Sequence, residues 1–268
     1  MQEIPLPARS GLTRNGLPYN RIGDGPNPLV LFQGLTLENA PMGAIEARYT
    51  RSMYSALTKE HTLFVVGRRQ GLPDGYTIAD MANDYAEMIE HEIARPVDVI
   101  GLSTGGSICQ QFALDHPDLL RRLVIHSSAH TLGPLGKSAQ LRVRDRAREG
   151  RWRECGAILM EMVAPPGWYR GAIVGMGSLM MALGAPKSPS DLVVTIDAED
   201  RFDCRDRLGE VRAPTLLVAG ERDPFYTPEL FRSTAEAIPE CRLVLYQGMG
   251  HPAKGQQFQS DLLAFLRA

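Results

Sequence analysis

One serine of this chain stands where a hydroxyl becomes a nucleophile. In Gly101-Leu102-Ser103-Thr104-Gly105 it follows the apolar run Val97-Asp98-Val99-Ile100 and precedes a helix-compatible segment, residues 107–114. This is G-x-S-x-G between a strand and a helix, a turn so sharp that the flanking positions carry glycine. The motif also recurs by chance, so its context must carry the case. Acyl transfer by serine needs a base for the hydroxyl proton, a group that orients the base, and N–H donors for the developing oxyanion. On an open α/β sheet these belong in loops at the carboxyl ends of strands.

The base expected on these grounds is His251, in Gly248-Met249-Gly250-His251-Pro252 after the last apolar run. Among six histidines it alone follows a strand in a glycine-punctuated loop late in the chain. His61, His91 and His116 fall at a strand start, on a helix and at a helix end, all structural positions. His126 and His130 end another strand and could line a pocket. The orienting acid expected is Asp223, in Gly220-Glu221-Arg222-Asp223-Pro224 after the penultimate strand, with Glu221 better suited to a surface ion pair. The order Ser, Asp, His suits such a sheet.

The elements that must position these groups follow from hydropathy patterns. Residues 10–27 predict a hairpin with 17–22 as one arm. Leu29-Val30-Leu31-Phe32, residues 62–66, 97–100, 123–125, 215–219 and 243–246 predict strands. Helices are expected over 45–58, from a capping box at Thr77–Asp80 to about Glu92, after the elbow to Asp115, and at 256–267. The 45–58 helix would bury Ile45, Tyr49, Met53, Ala56 and Leu57. From Thr131 to Asp200 alternation stops and helical segments follow one another, the last capped by Ser188 with Pro189 at its first position. The expected fold is α/β: a mostly parallel, doubly wound sheet flanked by helices. Its core would comprise 1–131 and 201–268, with a helical cap inserted at 132–200.

With this syntax the chain resembles the α/β-hydrolase fold over nearly its whole length, from the glycine-rich hairpin to Gly248-Met249-Gly250-His251. The resemblance implies Ser103 as nucleophile, Asp223 as acid, His251 as base, and the backbone N–H groups of Leu35 and Thr104 as oxyanion donors. It departs from many relatives in having Gln33-Gly34 where they have His-Gly, and Val66-Gly67-Arg68-Arg69-Gln70-Gly71 where they often have Asp-x-Arg-Gly. A serine at the elbow argues against the dehalogenase and epoxide-hydrolase branches, which use aspartate.

Bulk properties exclude other classes. The 268 residues carry 22% charged side chains and a net charge of −2, without basic runs interleaved with aromatics, so nucleic acid is not an expected ligand. The first residues have neither a basic nor an apolar signal region, and no stretch suits a bilayer span. Four scattered cysteines suggest free thiols in a cytoplasmic protein; no metal and no cofactor is expected. A small ester-like molecule is the expected partner. Gln33, His130, Met160, Trp168 and Met180 are the candidate pocket residues, with Met162, Met176 and Met181 as further members of an adaptable apolar wall. The arginines at 142, 144, 146, 148, 151 and 153 are expected to form a solvated helix face. Three readings remain: a serine hydrolase for esters, thioesters or lactones; an acyltransferase or cyclising thioesterase with the same groups; and a non-catalytic ligand receptor on this fold.

Overall fold

Apolar runs without polar alternation belong in strands covered on both faces, because every second side chain points to the opposite side. In the computed structural model, which describes Leu6 and residues 8–268, these runs form one eight-stranded sheet. Its strands are β1 (Ser10–Leu12), β2 (Pro18–Ile22), β3 (Asn27–Phe32), β4 (His61–Val66), β5 (Val97–Leu102), β6 (Leu120–His126), β7 (Thr215–Gly220) and β8 (Cys241–Tyr246). β1 and β2 make the expected hairpin and join β4 antiparallel; the remaining pairs are parallel, in the spatial order β1-β2-β4-β3-β5-β6-β7-β8. β3 therefore has β4 on one side and β5 on the other. That reversal opens a crevice at the carboxyl ends of β3 and β5, where such sheets bind ligands.

The helices are α1 (Ala44–Met53), α2 (Ile78–Met88), α3 (Thr104–Asp115), α4 (Pro134–Arg148), α5 (Trp152–Val163), α6 (Arg170–Leu183), α7 (Ser190–Arg201), α8 (Pro228–Ala237) and α9 (Gln256–Arg267). Period-two alternation divides the core. Val30, Phe32, Val99 and Ile125 face α2, α3 and α8 through Tyr85, Phe112 and Phe231, while Leu29, Leu31, Ile100 and Val124 face α1 and α9 through Met53, Phe258 and Leu262. Each of these large side chains stabilises the fold by roughly 1.5–3 kcal/mol on burial. Four helices, α4 to α7, lie between β6 and β7 in the chain, with a cluster of their own that includes Val143, Cys155, Ile158, Leu192 and Ile196.

Local signals place several boundaries. Thr77 Oγ1 accepts from the Asp80 N–H at 3.1 Å and Asp80 Oδ2 accepts from the Thr77 N–H at 2.9 Å, a reciprocal cap that starts α2. Other expectations shift. The 45–58 segment is α1 followed by a separate 3₁₀ turn at Ser55–Leu57. Ile45 and Tyr49 are exposed at 76% and 48%, so the expected apolar stripe is buried only towards its carboxyl end. Pro189 stands at the N-cap of α7, one position before the first helical residue.

Candidate active site

The serine turn is built by contacts only glycine permits. A Cβ at Gly105 would overlap the Phe32 carbonyl oxygen, and one at Gly101 would overlap Cys109 Sγ and the Gly105 carbonyl oxygen. Ser103 itself has φ 53° and ψ −122°, a conformation that costs a non-glycine residue on the order of 1–3 kcal/mol. Its N–H is tied to the His126 carbonyl at 2.9 Å, and α3 begins at the next residue. Thr104 and the rest of the first turn of α3 are buried, whereas the Ser103 side chain remains partly exposed.

Two loops from the far strands are stitched together beside it. The Arg222 N–H donates to the Met249 carbonyl at 2.8 Å, and the Glu221 N–H donates to the Tyr246 carbonyl at 3.0 Å. A Cβ at Gly220 would overlap the carbonyls of Met249 and Gly250, so glycine sets the close approach. The result is a 2.7 Å hydrogen bond between His251 Nδ1 and Asp223 Oδ2. Asp223 Oδ1 accepts from the N–H groups of Phe225 (2.9 Å) and Tyr226 (3.2 Å), which fixes the carboxylate and satisfies it without a cation. With Nδ1–H donating to the carboxylate, Nε2 of a neutral imidazole is the acceptor nitrogen. No Ser103–His251 hydrogen bond is formed among the described residues, a contact that often tightens only with substrate.

Ser103 and His251 line one cavity of about 280 Å³. Gly34 and Leu35 border it from the loop after β3, Tyr49 and Met53 from α1, and Leu159, Met160 and Val163 from α5. A Cβ at Gly34 would be 3.2 Å from the Leu102 carbonyl oxygen and 3.5 Å from Ser103 Cβ, so this loop passes directly against the serine. The walls are mainly apolar and the volume lies at the small end for ligand sites. A larger cavity of 360 Å³ between β2 and α1, bordered by Arg9, Arg48 and Arg51, includes none of these groups.

Of the expected pocket residues Met160 borders the cavity, as does the expected oxyanion donor Leu35. Four positions are corrected. Gln33 is buried and does not border it, its Nε2 donating to Glu46 Oε1 at 2.6 Å. His130 is buried away from it, its Nδ1 3.2 Å from Asp203 Oδ1 and its backbone N–H on Thr234. Trp168, in the loop before α6, is 96% exposed, and Met180 is 55% exposed on α6, which packs mainly on α5. Met176 is exposed as well, while Met162 and Met181 pack into clusters of their own helices. His126 is a core histidine: Nδ1 lies 2.7 Å from the Tyr54 hydroxyl, Nε2 lies 2.7 Å from the Ala253 carbonyl, and burial pushes its pKa down to about 3. Three of the four arginines on α4 form ion pairs, Arg144 and Arg148 with Asp197, and Arg146 with Glu149. Sequence patterning missed Arg68 and Glu199, both fully buried near the serine turn. For Glu199 a signal existed, since it falls seven residues after Leu192 on the same buried face of α7.

Among the described residues there is no group of three or more His, Cys, Asp or Glu side chains fit to hold a metal, and no helix long and apolar enough to cross a membrane. The arrangement can accept a carbonyl at Ser103, take a proton on His251, and offer backbone N–H groups at the Gly34–Leu35 and Ser103–Thr104 peptides.

Comparison with known proteins agrees with this architecture. A segment of polyketide synthase ThaQ from Burkholderia thailandensis is 28% identical over 98% of this chain, which spans only 12% of that protein's length. RutD of Pseudomonas savastanoi pv. phaseolicola, a candidate carbamate hydrolase, is 26% identical over 83% of this chain and 90% of its own length. The crystal structure of the enol-lactonase from Burkholderia xenovorans LB400 superposes with a TM-score of 0.77 at 18% identity, over 97% of this chain and 100% of that one, which shows a shared fold. The alpha/beta hydrolase family profile matches residues 40–258, and this chain is therefore an enzyme of the alpha/beta hydrolase family.

Proposed function

We propose that this enzyme cleaves a carboxylic ester, thioester or lactone with a small to medium apolar acyl part, through an acyl-enzyme on Ser103. The observation that carries the reading is one cavity bordered by a serine on a strained strand-to-helix turn and by a histidine whose Nδ1 is held by a buried carboxylate. Ser103 Oγ attacks the carbonyl carbon and its proton passes to His251 Nε2. The N–H groups of Leu35 and Thr104 receive the oxyanion. Collapse expels the alcohol or thiol, which takes the proton from His251. Water then gives a proton to Nε2 and attacks the acyl carbon, releasing the acid and restoring Ser103. Asp223 keeps the imidazole in the required tautomer and stabilises the imidazolium. In this reading residues 132–200 form a cap over a core made of 1–131 and 201–268, and α5 supplies the wall that sizes the acyl group. Turnover of p-nitrophenyl butyrate tests the assignment: Ser103→Ala is expected to lower kcat by about 10⁴-fold or more, and unchanged hydrolysis would refute it.

The likeness to a polyketide synthase segment over 98% of the chain favours a second reading, in which the acyl-enzyme passes its acyl group to an alcohol or amine instead of water. Product analysis with added nucleophile separates the two. Ester or amide in excess over acid at low nucleophile concentration would make transfer the primary reaction.

A further inference from the structure

The largest fully buried side chain of the described residues is that of an arginine, Arg68, in the loop after β4. A buried guanidinium is costly unless its donors are engaged. Here Nη1 donates to the Gln33 carbonyl at 3.1 Å, while Nη2 donates to the Gly34 carbonyl at 3.0 Å and to Thr36 Oγ1 at 2.8 Å. The Gly34 carbonyl belongs to the same peptide unit as the Leu35 N–H, and that unit borders the cavity beside Ser103. A peptide whose oxygen accepts from a cation is polarised, and its N–H becomes a stronger donor. One of the three bonds holds that peptide's own oxygen, and the other two anchor the guanidinium to the Gln33 carbonyl and the Thr36 hydroxyl on either side of it, while Nε is buried without a partner.

The charge has a counterpart on the inserted helices. Glu199 of α7 is fully buried, its Oε1 accepts from Ser107 Oγ at 2.7 Å, and its carboxylate acts electrostatically on Arg68. Ser107 lies in the first turn of α3, three residues after Thr104. Burial pushes the Glu199 carboxyl above the usual carboxylate range, with Arg68 and the Ser107 hydroxyl acting in the opposite direction. Neither Arg68 nor Glu199 touches the cavity.

We propose that Arg68 is a positioning residue of the oxyanion site: it orients and polarises the Gly34–Leu35 peptide so that the Leu35 N–H points at the developing oxyanion. This rests on the acyl-enzyme reading above. It explains how Gln33-Gly34 can form the site, since the donor is backbone and its orientation comes from Arg68.

The test compares the native enzyme with Arg68→Lys, which keeps the charge but cannot reach two carbonyls and a hydroxyl at once. Steady-state kinetics on p-nitrophenyl butyrate are measured beside inhibition by an alkyl trifluoromethyl ketone, which adds to a serine as a tetrahedral oxyanion. Loss of one oxyanion donor costs about 10²–10³-fold, so loosening one is expected to lower kcat by about 10–100-fold with KM within about threefold. The inhibition constant should rise by the same factor as kcat/KM falls, because both report the tetrahedral state. A general packing defect would lower the melting temperature without that correspondence. A folded Arg68→Lys enzyme with native kcat, or one whose kcat falls with no change in inhibitor affinity, overturns the proposal. Should that variant not fold, Thr36→Val gives the same readout on a smaller scale, about threefold to tenfold in both quantities; no change in either overturns it. Ser103→Ala is assayed in parallel. Native turnover there removes the acyl-enzyme reading itself, whereas an inactive Ser103→Ala beside a fully active Arg68→Lys removes only the role of Arg68.

Discussion

Two histidines show how residue chemistry is set by surroundings. His251 donates Nδ1–H to Asp223 and borders the cavity; His126 has both ring nitrogens engaged by Tyr54 and the Ala253 carbonyl and lies in the core. Asp223→Asn would present an amide that favours the wrong imidazole tautomer, so kcat on p-nitrophenyl butyrate is expected to fall about 10⁴-fold with KM nearly constant. A loss smaller than tenfold would mean that another carboxylate orients the base. His126 makes a prediction about stability. Its folded pKa lies near 3 against an ordinary 6.5, so the unfolded chain binds the proton first as pH falls. The stability contributed by the neutral ring is full above pH 6.5 and is lost as pH drops from 6.5 towards 3, by up to about 1.4 kcal/mol per pH unit. Urea unfolding of His126→Gln between pH 4.5 and 6.5 should show a slope flatter by about that amount, and parallel slopes would contradict it. At this scale the sequence was legible where a residue sits in a local syntax, as Ser103, Asp223 and His251 do. It was not legible for Arg68, whose partners are two backbone carbonyls, 34 and 35 residues earlier, and the Thr36 hydroxyl, with no local pattern linking them.

At the scale of elements, the site is made by strand ends. β3 and β5 diverge in connection and open the crevice; β7 and β8 carry the loops that meet at Gly220. Parallel pairing and the serine turn were readable because apolar runs and glycines report directly on covered strands and close approaches. Gly105→Ala should destabilise the fold by about 3 kcal/mol or more, as its Cβ would overlap the Phe32 carbonyl and the backbone has no room to relax. Chemical denaturation checks this, and a cost below about 1 kcal/mol would mean the turn is looser than described. Helix faces were less legible. The period of α1 marks Ile45 and Tyr49 as apolar, yet α1 covers the sheet with its carboxyl half and borders the cavity with Tyr49. Trp168 and the methionines of α6 show the same limit: composition indicates an apolar segment, and only packing on α5 decides which side is left open.

At the scale of the whole molecule, the proposed reading has the sheet and its loops carry the chemistry while the helices between β6 and β7 set the room above it. Those helices are held together by their own apolar cluster and by ion pairs from Arg144 and Arg148 to Asp197. The 280 Å³ cavity is closed on one side by Leu159, Met160 and Val163. Shortening Met160 to alanine should raise the kcat/KM ratio of p-nitrophenyl octanoate to butyrate by about tenfold, in line with the few-methylene discrimination of apolar pockets. An unchanged ratio would place the acyl group elsewhere. The central claim is that Ser103 is the atom on which the acyl group is carried, and labelling with a fluorophosphonate followed by peptide mass spectrometry tests it most directly. The account predicts one adduct per chain, on the peptide containing Ser103, forming in step with loss of esterase activity; an adduct on another residue, or full activity in fully labelled protein, would contradict it.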